Sequence, residues 1–235
     1  MEEKNDKTVG DYVAEDYRTA KVFEKYGIDF CCGGKIPLSE ACREKGIDPA
    51  PLRGEIEAAT SEPLDRSQNF AAWGLPFLAD YIVTTHHGYL NENTRQIAVY
   101  AHKIAEVHGA AHPEVVEIAR IFDRIAADME AHLREEEEVL FPAIKRIDTA
   151  RKGGGEPETE DLALLRASLD KLDQEHDAIG EAVHAIRDLS KDYAIPDNVC
   201  NTFMVAYRKL KEFEDDLHKH VHLENNILFP KAAQL

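Results

Sequence analysis

Six residues stand out by type and spacing: His87, His132, Glu136, His176, His220 and Glu224. Four of them belong to two copies of one pattern. The stretch AHLREEEEVLFP carries His132, Glu136, Phe141 and Pro142, and KHVHLENNILFP carries His220, Glu224, Phe229 and Pro230. Both read His-x3-Glu-x4-Phe-Pro, and upstream of each lies another histidine at nearly the same separation, 45 residues from His87 to His132 and 44 from His176 to His220. Residues four apart on a helix lie about 40° apart around its axis and roughly 6 Å along it, so each His-x3-Glu pair aims two ligands at one place. In an antiparallel bundle both pairs reach the same level, and His87 and His176 approach from the other two helices.

The resulting donor set is four imidazoles and two carboxylates. One metal ion in a bundle does not use all six, whereas two do if Glu136 and Glu224 bridge them and each ion takes two imidazoles. Nitrogen and oxygen ligation without thiolate suits iron or manganese better than structural zinc. It also leaves positions for an oxo bridge or a small exogenous ligand. The residues therefore predict a non-haem centre of two iron ions per chain, oxo- and carboxylate-bridged.

Taken singly, each histidine has a plainer explanation as a core or surface residue, and Glu135-Glu136-Glu137-Glu138 reads as a solvated face. Neither explanation accounts for the duplication. His86 competes with His87. Val83, Leu90 and Ile97 share the face of His87 and match Leu172, Ile179 and Ile186 around His176, whereas the face of His86 runs into Asn93 and Gln96, which favours His87. His108 lies 21 residues after His87, about 31 Å along a continuous helix, and is left out of the ligand set. His102, His112, His184, His218 and His222 read as surface, helix-end or supporting residues.

These ligands need long helices. The chain shows four helical segments, at roughly 75–109, 113–149, 159–192 and 197–228. They are separated by Gly109 and Pro113, by the run Gly153-Gly154-Gly155-Glu156-Pro157, and by Pro196 with Asp197. Strand signals are absent, so the expected fold is all-α: an antiparallel four-helix bundle over residues 75–235, a linker at 61–74, and a small helical N-terminal domain over 1–60. In that small domain Thr8 or Asp11 caps a first helix running to Gly27. A second, opened by Ser39, closes at Gly46, and Asp48 with Pro49 starts a third. Between the first two lies Asp29-Phe30-Cys31-Cys32-Gly33-Gly34-Lys35. Here Cys31 and Cys32 are candidate redox or iron-transfer thiols with pKa values lowered by their setting. Cys42 and Cys200 read as packing residues.

Composition narrows the class of partner. Of 235 residues, 43% are hydrophobic and 31% charged, and the formal net charge is −17. Such a surface repels phosphate backbones and anionic lipid, which argues against nucleic-acid or membrane-surface binding. The opening MEEKNDKTVG is charged rather than apolar, and no stretch approaches the roughly 20 apolar residues of a membrane span. The expectation is a cytoplasmic protein with reduced thiols.

With these motifs in place, residues 75–235 resemble a hemerythrin-like domain, and LENNILFP at 223–230 resembles the C-terminal signature of the RIC family (repair of iron centres, the YtfE/ScdA type). The first sixty residues, with the Cys-Cys-Gly-Gly turn, resemble the short N-terminal domain of the same family. The resemblance implies a di-iron protein, often dimeric, that restores iron–sulfur clusters damaged by nitric oxide or peroxide, by supplying iron. It carries the ligand roles onto His87, His132, Glu136, His176, His220 and Glu224, and matches a family histidine to His108. Its clients would be damaged iron–sulfur proteins, and its small ligands NO or O2. No catalytic residue is assigned. Two other classes use the same ligands: a di-iron oxidoreductase reducing nitric oxide or peroxide, and an oxygen-binding or sensing hemerythrin-like protein.

Overall fold

The structure is a computed structural model that describes residues 7–235. The reading of the first six residues as charged rather than signal-like lies outside the described part. The fold is all-α, an antiparallel four-helix bundle preceded in the chain by small helices, and no strand occurs among the described residues. No described helix is long and apolar enough to cross a membrane.

The chain divides into two compact units, Ala79–His218 and, for the other, Met1–Leu78 with Lys219–Leu235. In the second of these the small helices come first: α1 (Val9–Glu15), α2 (Ala20–Lys25), α3 (Leu38–Lys45) and α4 (Pro49–Ala59). The Thr8 hydroxyl accepts from the Asp11 N–H while the Asp11 carboxylate accepts from the Thr8 N–H, a reciprocal pair that satisfies two backbone donors at the start of α1. The single helix expected as far as Gly27 is broken. Asp16 adopts extended backbone (φ −153°, ψ 104°) and caps a short 3-10 turn, Tyr17–Thr19, by accepting from the Arg18 N–H. A side chain that bonds nearby backbone competes with helix propagation, and here it wins. Gly27 does end α2, in the left-handed region at φ +65°. Val9, Val13, Phe23, Phe30, Leu38 and Leu52 are buried beneath these helices.

The other unit is built on α6 (Gly88–His108), α7 (Glu114–Glu135), α8 (Phe141–Lys152) and α9 (Thr159–Leu189), with α7 packed along α6 and α9. The first part of α10 (Asn201–Leu223) joins them, its Phe213 meeting Phe122 edge-on at 5.1 Å between ring centroids. Rings buried this way each stabilise the fold by about 1.5–3 kcal/mol through removal of apolar surface from water. Helix α9 stops at Leu189 rather than 192, and α10 begins at Asn201 rather than 197. The reason is the connection: Lys191, Asp192, Tyr193 and Asn198 all have positive φ, between 53° and 62°. Non-glycine residues there each cost roughly 1–2 kcal/mol, so neighbouring contacts must hold them.

Three of the long helical rods are interrupted by one wider π turn each: Val83–His87 between α5 (Leu75–Ile82) and α6, Glu136–Leu140 between α7 and α8, and Glu224–Leu228 between α10 and α11 (Phe229–Ala232). The sequence reading assumed uninterrupted α-helix at all three. Each π turn contains one of the six candidate ligands, and π turns concentrate at functional sites.

Candidate metal centre

In the unit Ala79–His218, Glu136 is fully buried and its two carboxylate oxygens point at different imidazoles. Oε2 lies 3.2 Å from His87 Nε2, and Oε1 lies 3.5 Å from His132 Nε2. His176 comes from α9 to place its Nε2 3.1 Å from that of His132. The ligand atoms of His132, Glu136 and His176 are all within 4.8 Å of one another. His86, though also buried, turns away from Glu136; its Nδ1 pairs with Asp216 at 3.0 Å and its ring meets Tyr81 edge-on.

The outward nitrogens of two of these rings are tied down. His87 Nδ1 pairs with Glu137 Oε1 at 2.8 Å, and His132 Nδ1 pairs with Glu175 Oε2 at 3.0 Å. A carboxylate that accepts the Nδ1–H fixes the tautomer, so the Nε2 lone pair faces inward, as in carboxylate–histidine–metal arrangements. Inward lone pairs then face a carboxylate and another imidazole, and this donor set fits a cation at its centre. The His132 hydrogen bond, opposed by burial and helped by the nearby Lys171, holds the Glu175 carboxyl below its ordinary range. The Phe141 ring stacks against His87 at 5.8 Å between centroids. This is a physical role for the phenylalanine of the repeated motif.

Glu137 and Glu175 were missed in the sequence. Glu137 lay in a run read as a solvated face, and the signal for Glu175 was only its place beside His176. A cleft of about 230 Å³ runs along the outer side of Glu137, lined by Asn91, Glu130, Leu133, Arg134 and Glu138 as well.

In the other unit His220 Nε2 lies 3.0 Å from Glu224 Oε1, both fully buried. The residues after Glu224 hold the cysteine turn. Asn226 Nδ2 donates to the Phe30 carbonyl at 2.9 Å, and Asn225 Nδ2 reaches the Cys31 carbonyl at 3.5 Å. Only glycine fits at position 34, because a Cβ there would sit 2.3 Å from the Phe30 carbonyl oxygen. The two motif copies thus diverge with a purpose: Glu137 in the first orients an imidazole, while Asn225 and Asn226 in the second dock the Cys-Cys turn.

Cys31 differs from expectation. Asp29 Oδ1 accepts from the Cys31 N–H at 2.9 Å, the Cys32 N–H at 3.1 Å and the Cys31 thiol at 3.2 Å. Cys31 is buried, and its thiol is pushed well up rather than lowered. The causes are its hydrogen bond with Cys32, burial and the negative charges of its neighbours. His222 is not a surface residue either. It is fully buried against Tyr17, Phe30 and Asn226, and burial pulls its pKa down to about 3. His218 is likewise buried.

Cys200, read as a packing residue, is exposed, and its Sγ lies 3.1 Å from His108 Nε2 at the far end of α6. That hydrogen bond, with backbone N–H groups of Phe203 and Thr202, lowers the thiol to about 7. Alkylation of Cys200, followed by peptide mass mapping, is expected to rise with pH through a midpoint near 7. In His108→Ala the midpoint moves up toward the ordinary thiol value of about 8.5; an unmoved midpoint would remove His108 as the cause.

Two known families match separate stretches of the chain. Residues 78–232 match the hemerythrin HHE cation-binding domain, and residues 5–60 match ScdA_N, described as a domain of unknown function (DUF542). The iron–sulfur cluster repair protein ScdA of Staphylococcus haemolyticus is 30% identical over 229 residues, covering 97% of this chain and 99% of the relative. The iron–sulfur cluster repair protein YtfE of Yersinia pestis is 31% identical over 217 residues, 92% of each chain.

Proposed function

The chain belongs to the ScdA/YtfE family of iron–sulfur cluster repair proteins and carries its hemerythrin HHE domain; from that premise we propose that it binds two iron ions and returns iron to damaged clusters. His87, His132, Glu136, His176, His220 and Glu224 are the proposed ligands that would hold the two ions. The observation that carries this reading is the buried Glu136 carboxylate, whose two oxygens are directed at imidazoles from separate helical rods. Its counterpart Glu224 stands in the second copy of the motif, four residues after His220, with the same helical pairing. The proposed organisation is a small domain over 1–60, a linker at 61–74 and the bundle over 75–235.

Iron in such a site supplies two oxidation states that neutral imidazoles and carboxylates hold with unequal strength. The residues of the chain determine access and orientation. Glu137 and Glu175 hold the Nδ1 protons and keep the Nε2 lone pairs on the inner side. Phe141, stacked on the His87 ring, shields one face of that donor from water. The cleft beside Glu137, with Glu130 and Glu138 on its walls, offers carboxylates to a departing cation. Cys31 and Cys32 are proposed as a thiol station for iron in transfer, with damaged iron–sulfur proteins of the cytoplasm as recipients.

The test is release to a chelator. Reduced protein is expected to surrender iron at least tenfold faster than oxidised protein, and equal slow loss from both would end the donor reading.

A further inference from the structure

Away from the proposed di-iron ligands, a second set of donors converges between α9 and α10. We infer that His184, Glu214 and His218 form a separate site for one divalent first-row transition ion. The three offer ligand atoms within 4.8 Å of one another. His218 Nε2 lies 3.9 Å from Glu214 Oε1, and the His184 and His218 rings are 5.8 Å apart and inclined at 66°. Ligand distances near 2.0–2.2 Å let one ion span such a set after small rotamer adjustments.

Glu214 and His218 are four apart on α10, which places them on one face, and His184 approaches from α9. Two imidazoles and one carboxylate suit zinc, ferrous or cobaltous ions and leave coordination positions for water. His184 is eight residues beyond His176 on α9, about 12 Å along the helix, too far to share an ion with it.

Glu214 already carries partners. Arg187 Nη2 forms an ion pair with its Oε1 at 2.8 Å, and the Tyr193 hydroxyl hydrogen-bonds the same carboxylate. A carboxylate has about four acceptor positions, so these two bonds leave capacity for a cation. They also do what outer partners of a ligating carboxylate do, which is to fix its orientation. Tyr193 reaches Glu214 from the run of left-handed residues Lys191-Asp192-Tyr193, a conformation that the chain adopts at a cost and that aims the phenol inward. Glu214 is 1% exposed while His184 is half-buried, so an ion would enter past His184.

The experiment is a cobaltous-ion titration of the full-length, iron-loaded protein, read by the visible absorption of bound cobalt with iron quantified in the same samples. Wild type is expected to take up one cobalt per chain. His184→Ala, at a half-exposed position, and the shape-conserving Glu214→Gln are each expected to bind it at least tenfold more weakly with iron content unchanged. Equal titrations of wild type and both variants, or no cobalt uptake by wild type, would overturn the inference. Glu136→Ala/Glu224→Ala is expected to keep the cobalt site. Failure of the di-iron reading therefore appears separately, as missing iron with cobalt uptake intact.

Discussion

Removing iron with a chelator is expected to lower the apparent Tm of the wild-type protein by about 10 °C. A ligand that binds only the folded state stabilises it by RT ln(1 + [L]/Kd), about 4 kcal/mol when the free ligand exceeds Kd a thousandfold. For a chain of this size each kcal/mol moves Tm by about 2–4 °C. The physical source is the cluster of buried donors: Glu136, His132, His176 and His87 are each no more than 2% exposed, and their inward atoms face one another. Without a cation these groups remain desolvated and face other acceptors. Glu136→Ala/Glu224→Ala should show no chelator-dependent change. Identical Tm values for wild type with and without chelator would mean that the buried donors are satisfied without metal.

The second large effect concerns the thiols. Cys31→Ser/Cys32→Ser is expected to retain wild-type iron and helix content yet lose most cluster-repair activity, at least tenfold in a reconstituted assay with a damaged iron–sulfur protein. Serine keeps the size of the side chain and the hydrogen bond to Asp29, so the turn should survive the change. The same turn is held by Asn225 and Asn226, on the π turn that begins with Glu224. A thiol station there lies next to a proposed ligand along the chain rather than at a remote surface. The raised Cys31 pKa disfavours its thiolate and so argues against nucleophilic attack, and an arriving cation would have to displace the thiol proton. Unchanged repair by the double variant would leave the pair a packing role.

The helical rods and the repeated His-x3-Glu spacing could be read in the sequence because both follow from helical periodicity, which is local. What could not be read depends on partners distant in the chain. Glu137 looks like any charge in an acidic run until His87, fifty residues earlier, is placed against it. The Asp16 break depends on a side chain capping the next turn rather than continuing the first. The π turns carry no composition signal, and His222 is indistinguishable from a surface histidine until Tyr17 and Phe30 cover it. For Cys31 the sequence predicts a lowered pKa, whereas the turn geometry presents the Asp29 carboxylate. Its acid–base behaviour is therefore the reverse of the expected one.

Metal content tests the central claim most directly. Plasma mass spectrometry of wild type after anaerobic reconstitution should find about two irons per chain, and Glu136→Ala/Glu224→Ala should lose them. Wild type that retains little or no iron under those conditions would contradict the di-iron assignment, and the repair mechanism built on it would go with it.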